Sequence, residues 1–106
     1  MYKIIYSPKA VAEVDRYILA YRHQFLSLYT DTGIFSELEI LERYEKEAID
    51  RYEEIYSLIE ERIGDGETVF GRQQDNTLLL SWRYKTIKVA WDDDEGIRYI
   101  KKVRIF

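Results

Sequence analysis

Hydrophobic residues recur along this chain with two different periods, and each change of period marks a new structural element. The segment Tyr2–Tyr6 alternates and is rich in aromatic and β-branched residues, which predicts a strand. From Pro8 to about Phe25 the apolar residues recur every three or four positions, so a helix with one buried face is predicted. Ser7 can cap this helix, and Pro8 fits its first turn.

A second helical pattern begins after Ser36. The spacing of Ser36 and Glu39 is that of a capping box, in which two side chains cover the free amides of the first turn. Apolar residues then keep helical spacing until Gly64-Asp65-Gly66, which predicts a long helix. The first helix is predicted to end at Thr30-Asp31-Thr32-Gly33. Because the loop between the helices is short, we expect an antiparallel helical hairpin.

After Gly66 the pattern changes to the two-residue period of strands. Three strands are predicted, with turns at Lys85-Thr86 and from Asp92 to Gly96; the strands are Leu78–Tyr84, Ile87–Trp91 and Ile97–Phe106. A further short strand is compatible with Thr68–Gly71, followed by a turn at Asp75-Asn76.

These elements predict an α+β fold for the whole chain, residues 1–106, as a single domain. An N-terminal strand and an antiparallel two-helix hairpin precede a three- to four-stranded antiparallel meander. Both helices are expected to pack on one face of the sheet.

Composition excludes several kinds of chemistry. The chain has no Cys and one His, so disulfides and thiolate catalysis are excluded, and zinc would have to rely on His23 and carboxylates. No apolar run is long enough to cross a bilayer, and the N-terminus lacks a secretory pattern. We therefore expect a cytoplasmic protein without a membrane partner.

Charge is divided unevenly along the chain. The balance is +1 for residues 1–35, −8 for 36–67 and +3 for 68–106. From Thr77 onward the cations are spaced along the predicted sheet, an arrangement that suits a polyanion such as RNA. They are Arg83, Lys85, Lys88, Arg98, Lys101, Lys102 and Arg104.

Alternation along the predicted strands places Arg83 and Lys88 on one face, a short distance apart and away from the helices. Two cations held in this way can bind a phosphate and stabilise the added charge of its transition state. The alternative is that they are the ordinary polar residues of a sheet with one solvated face.

Other polar groups fit simpler explanations. The acidic segment from Asp92 to Gly96 lacks the length and ligand spacing of a calcium loop, so a solvated turn is expected. His23 has no catalytic pattern around it, and the carboxylates of the second helix are expected to face solvent.

Two segments, YKIIYSPKAVAEVDRY at the start and WRYKTIKVAWDDDEGIRYIKKV near the end, resemble the RelE/ParE superfamily of toxins. The resemblance implies the toxin half of a toxin–antitoxin pair. RelE-like members enter the ribosomal A site and cut mRNA without a metal, whereas ParE-like members inhibit DNA gyrase. The second helix of this chain is longer than in typical members.

The resemblance also assigns roles to residues. Lys88 stands where the family usually has a phosphate-binding Arg, Arg83 matches a basic position before the hairpin turn, and Ser81 falls where a Lys is often found. Arg104 supplies a third cation. Further RNA contacts are expected from Ser81, Lys85, Lys101 and Arg98.

Catalytic members end with an Arg or His followed by a Tyr, whereas this chain ends in Phe106. Tyr84 and Tyr99 are possible substitutes for the missing acid. Lys in place of Arg at position 88 keeps the charge but loses the bidentate fork.

The expected function is therefore ribosome-dependent mRNA cleavage without metal or cofactor, by attack of the 2′-OH on the adjacent phosphate. Its partners would be the ribosome, mRNA and a cognate antitoxin. The alternative is a non-catalytic binding protein, either a gyrase inhibitor or a degenerate toxin.

Overall fold

The computed structural model of the chain describes residues 3–30, 33–63 and 76–106. Its elements are β1 (Lys3–Tyr6), α1 (Pro8–Thr30), α2 (Glu37–Ile63), β2 (Thr77–Trp82), β3 (Lys85–Asp94) and β4 (Ile97–Ile105). This order confirms the predicted α+β class, with one strand, two helices and then three strands. The strand predicted at Thr68–Gly71 and the position of Asp75 lie outside the described residues.

Both helices begin at the predicted serine caps. The Ser7 hydroxyl accepts a hydrogen bond from the Ala10 amide at 3.0 Å and donates one to the Lys101 carbonyl at 2.9 Å. It therefore caps α1 and also ties that end of the helix to β4. At α2, the Ser36 hydroxyl accepts a hydrogen bond from the Glu39 amide at 3.2 Å.

The helices form an antiparallel hairpin, as predicted. Near the sheet, the Tyr52 hydroxyl of α2 donates to a carboxylate oxygen of Asp15 of α1 at 2.9 Å. Toward the connecting loop, the centres of the Phe25 ring of α1 and the Tyr44 ring of α2 lie 6.1 Å apart. Neither of the described helices has an apolar stretch long enough to cross a membrane.

The sheet has the strand order β1-β4-β3-β2. Strands β2, β3 and β4 form the predicted antiparallel meander. However, β1 runs parallel to β4, with Lys3 opposite Ile97 and Tyr6 opposite Ile100, so the sheet is mixed rather than antiparallel throughout. The pattern of residues in a strand specifies its faces but not its direction, and this is why the sequence did not reveal the parallel pair.

Both turns of the meander have two central residues. Arg83 and Tyr84 connect β2 to β3 with φ of 45° and 64°, and Glu95 and Gly96 connect β3 to β4 with φ of 45° and 80°. Positive φ at both positions is typical of the hairpin turns that match strand twist. The first turn was predicted two residues later, at Lys85-Thr86, because no Gly or Asn marks its true position.

The core lies between the helices and one face of the sheet. It combines one stripe from each helix with alternate residues of the strands, including both Trp side chains: Ala10, Val14, Ile55, Ile59, Ile63, Leu80, Trp82, Ile87, Val89, Trp91, Ile100 and Val103. Among the described residues no helix covers the opposite face. Residues of that face such as Ser81, Lys88 and Arg104 are exposed.

Candidate functional site

We call the uncovered side of the meander the open face. Alternate residues of each strand are buried against the helices, so the residues between them face the other way and form the open face. Its members are Leu79 and Ser81 of β2, Thr86, Lys88, Ala90 and Asp92 of β3, and Tyr99, Lys101, Lys102 and Arg104 of β4. The face therefore contains Ser81, Lys88, Lys101 and Arg104 of the seven predicted site residues.

Lys88 and Arg104 lie directly opposite each other in the register of β3 and β4. Thr86 and Phe106 exchange both backbone hydrogen bonds, at 2.7 and 2.9 Å. Because hydrogen-bonded pairs alternate along an antiparallel ladder, Lys88 and Arg104 form such a pair, with Cα atoms about 5.5 Å apart. The backbone therefore fixes the separation of the two cations.

This pair of cations is not neutralised within the described part of the chain. Both side chains are exposed, and no described carboxylate lies within ion-pair distance of either. The Arg104 guanidinium lies 4.9 Å from the centre of the Phe106 ring, a contact that does not neutralise the positive charge. Like charges directly opposite on a sheet are destabilising, so a bound anion would relieve an unfavourable contact.

A β-bulge between Ala90 and Trp91 adds further charge to the open face. It allows Lys101 and Lys102 to be exposed together, although they are consecutive in β4. The Lys101 ammonium lies 3.3 Å from an Asp92 carboxylate oxygen, whereas Lys102 stands opposite Ala90. Lys102 was not among the predicted site residues; two consecutive lysines inside an alternating strand were the signal of the bulge.

Arg83 is placed differently from its prediction. It lies in the β2–β3 turn, and its guanidinium donates hydrogen bonds to both carboxylate oxygens of Glu54 in α2, at 2.7 and 2.8 Å. It is therefore on the helix side and not beside Lys88. These hydrogen bonds hold the pKa of the Glu54 carboxyl below its ordinary value, and the Trp82 indole, which donates to the same carboxylate at 3.2 Å, acts in the same direction.

Lys85 is also on the helix side of the sheet, because it pairs with the inward-facing Trp82 across the turn. It lines a groove of about 270 Å³ between α1 and the end of the sheet, together with Arg16, Tyr17 and Gln24 among others. The predicted RNA contact at Lys85 therefore belongs to a different surface from that of Lys88.

Arg98 is buried, with 4% of its surface exposed. Its guanidinium donates to both carboxylate oxygens of Asp93, at 2.7 and 2.9 Å, and to the carbonyl of Ile63 at 2.5 Å. It also lies 5.3 Å from the centre of the Trp91 ring. These contacts join β4 to β3 and to the end of α2. Arg98, which was predicted to contact RNA, therefore lies between the sheet and the helices and not on the open face.

Among the described residues of the open face, no general acid lies beside Lys88 and Arg104. Tyr99 is on this face but pairs with Asp92, four residues along β3 from Lys88, or about 13 Å. Tyr84 lies in the β2–β3 turn. In the described ranges no three His, Asp or Glu side chains converge as a metal site would require. The geometry therefore supports anion binding more directly than proton transfer.

Comparisons with protein-family models, with curated proteins and with solved structures found no match for this chain.

Proposed function

We propose that this chain is a RelE/ParE-type toxin domain that binds mRNA on its open face and cuts it, weakly, in the ribosome. The single observation that carries this proposal is the opposed pair Lys88 and Arg104, which is exposed and lacks a carboxylate partner among the described residues. The similarity of the two end segments to RelE/ParE toxins supports the same function.

In this proposal a phosphate of the mRNA lies between the Lys88 ammonium and the Arg104 guanidinium. The 2′ oxygen attacks the adjacent phosphorus and loses its proton, while the bond from phosphorus to the 5′ oxygen breaks and that oxygen gains a proton. The products are a cyclic phosphate and a 5′-hydroxyl end. The two cations stabilise the additional negative charge of the pentacoordinate phosphorus.

The distribution of charge would orient the protein on RNA. Helix α2 carries ten acidic and four basic residues, and it packs on the side of the sheet opposite the open face. A polyanion is repelled by the helical side and attracted by the open face. The ribosome and mRNA would thus meet the open face and not the acidic helix α2. A cognate antitoxin that blocks the open face would prevent this contact in the cytoplasm.

The test is to incubate purified protein with mRNA-programmed ribosomes and to find cut sites by primer extension. We expect codon-phased cuts that require the ribosome, occur in the presence of a chelator, and disappear in Lys88→Glu. Lys46→Glu is the matched control, since Lys46 is an exposed residue of α2 and the change of charge is the same. Cleavage by Lys88→Glu at the wild-type rate would contradict the site.

A second candidate is a non-catalytic binding protein of the same fold. It is favoured by the pairing of Arg83 with Glu54, which removes one of the three predicted catalytic cations from the open face. The distance of Tyr99 from Lys88 favours it too. This candidate predicts binding without cuts, and inhibition of DNA gyrase would then be measured with the same two variants.

A further inference from the structure

The turn between β2 and β3 presents an aromatic side chain in an unfavourable backbone conformation. Tyr84 has φ of 64° and a relative exposure of 109%, so its ring is entirely in solvent. The preceding residue, Arg83, also has positive φ, at 45°. Non-glycine residues adopt this region at an energetic cost, and Asn or Gly would fit the turn better. Because the Tyr84 side chain is fully exposed, no packing of its ring offsets that cost.

The residues before Tyr84 are held firmly by other parts of the molecule. Arg83 and the Trp82 indole both donate hydrogen bonds to the carboxylate of Glu54. The Trp82 ring also meets the Tyr17 ring edge-on, with centroids 5.5 Å apart. The turn is therefore anchored to both helices, while the Tyr84 ring makes no ring contact with the described residues. A strained position that is anchored by its neighbours indicates a functional constraint.

Next to this turn, on the side toward α1, lies a groove that contains two cations. Lys85 follows Tyr84 directly and lines the groove of about 270 Å³, where Arg16 is also found. The only ion pair of Arg16 within the described chain is a loose one with Glu13, at 3.9 Å, and the Arg16 side chain is 81% exposed. An exposed aromatic ring on an anchored turn, with a groove containing two cations next to it, combines the two contacts used for single strands, base stacking and phosphate binding.

We propose that Tyr84 is a stacking platform for a base of single-stranded RNA, with Lys85 and Arg16 holding the adjacent phosphate. This inference rests on the proposed RNA binding by the open face and adds a second contact at the end of the sheet. Tyr84 lies four residues before Lys88, so one strand of RNA can reach both. The role requires the flat face of the ring and not its hydroxyl, which separates it from a role as general acid.

The test measures the affinity of the full chain for a single-stranded RNA oligonucleotide by fluorescence anisotropy, together with the midpoint of thermal unfolding. For Tyr84→Asn we expect affinity to fall by between about 5-fold and 150-fold, the range for loss of one stacked base. The unfolding midpoint should rise, because Asn tolerates positive φ. Tyr84→Phe should bind as the wild type does.

Glu95→Asp is the matched control, because Glu95 has the same φ of 45° in the other turn and Asp keeps the charge. It should raise the midpoint without changing RNA affinity. An abasic oligonucleotide, which has phosphates but no bases, should bind wild type and Tyr84→Asn equally.

Three results would overturn the inference. If Lys88→Glu weakens binding while Tyr84→Asn stays within 2-fold of wild type, the stacking role is wrong but RNA binding by the open face stands. If Tyr84→Phe loses as much affinity as Tyr84→Asn, the hydroxyl and not the ring is required. If the wild type binds no RNA at any salt concentration, the inference and the proposed function both fail.

Discussion

Arg98 and Arg104 lie on the same strand, six positions apart, yet they belong to different environments. Arg98 faces the helices, where a carboxylate, a backbone carbonyl and the Trp91 ring surround its guanidinium. Arg104 faces solvent opposite another cation, with no carboxylate of the described chain beside it. Both residues are arginines, so the difference lies in their contacts. A cation with a carboxylate partner stabilises this fold, whereas a cation without one is available to a ligand.

The same distinction divides the predicted site. Arg83 and Arg98 have bidentate carboxylate partners, whereas Lys88 and Arg104 have none among the described residues. Loss of the first two should therefore reduce stability, and loss of the second two should reduce binding. The experiments below address this separation.

The largest effect on stability should come from Arg98→Ala. The substitution leaves Asp93 without its bidentate partner and the buried end of α2 without a donor for the Ile63 carbonyl. Removal of one partner from a buried pair costs about 3 kcal/mol, which urea unfolding at neutral pH measures. A loss below about 1 kcal/mol would show that the pair is dispensable.

Arg104→Ala is the matched variant on the open face. Its side chain is exposed, and its contact with the Phe106 ring is on the surface. We expect a change within about 0.5 kcal/mol, as for other surface substitutions. A loss equal to that of Arg98→Ala would contradict the division into structural and available cations.

Alkaline pH should also weaken the helix-covered half of the molecule. Burial, and then the hydrogen bond to Asp15, raises the pKa of Tyr52 from 10.0 to about 12. Burial raises the pKa of Tyr6 in the same direction. Because the unfolded chain loses these protons first, the contribution of both tyrosines to stability should be constant below pH 10 and should fall above it, by on the order of 2 kcal/mol for Tyr52 between pH 10 and 12.

The measurement is urea unfolding of wild type and Tyr52→Phe across this pH range. The variant lacks the ionisable group, so its stability should fall less steeply above pH 10. Parallel curves would show that Tyr52 titrates normally in the folded state.

Lys88→Glu should change stability and binding in opposite directions. It replaces a cross-strand pair of like charges by a pair of opposite charges with Arg104, which should stabilise the fold by about 0.5 kcal/mol. RNA binding should be lost, because the negative charge repels phosphate. Urea unfolding and RNA anisotropy on one preparation test both; a destabilised variant would make the loss of binding uninformative and contradict the proposed exposure of the pair.

A small effect is expected from Glu54→Gln at the β2–β3 turn. The ion pair with Arg83 is partly exposed, so its loss should cost about 0.5 kcal/mol at pH 7. The folded-state pKa of Glu54 is lowered, so the contribution is complete above its ordinary value of 4.5 and disappears as pH falls through the lower folded value. Unfolding of the two proteins at pH 7 and pH 3 should show a smaller difference at pH 3.

Much of the fold could be predicted from local pattern. Ser7 and Ser36 marked the helix starts, and alternation around Trp82 gave the correct buried face of β2. These features depend on residues close in sequence. The parallel pairing of β1 with β4 joins residues more than 90 positions apart, and alternation carries no information about direction.

The site could be predicted less well, because facing direction decides which cations are available. Arg98 lies two positions before Ile100 in β4, so alternation places both side chains on the buried face of the sheet. The prediction instead assumed that a charged side chain faces water. A shift of one residue reverses the face of every side chain, and the bulge at Lys101 and Lys102 introduces such a shift. Arg83 was misplaced because the turn carries no Gly or Asn to reveal where the strand ends.

The most direct test of the central claim is the salt dependence of binding to single-stranded RNA. Each lost phosphate contact should reduce the slope of log affinity against log salt by about 0.7. We predict that reduction for Lys88→Ala and for Arg104→Ala, and no change for Lys46→Ala on α2. If the three variants have the wild-type slope, or if Lys46→Ala changes it as much as Lys88→Ala, the open face is not the RNA-binding surface.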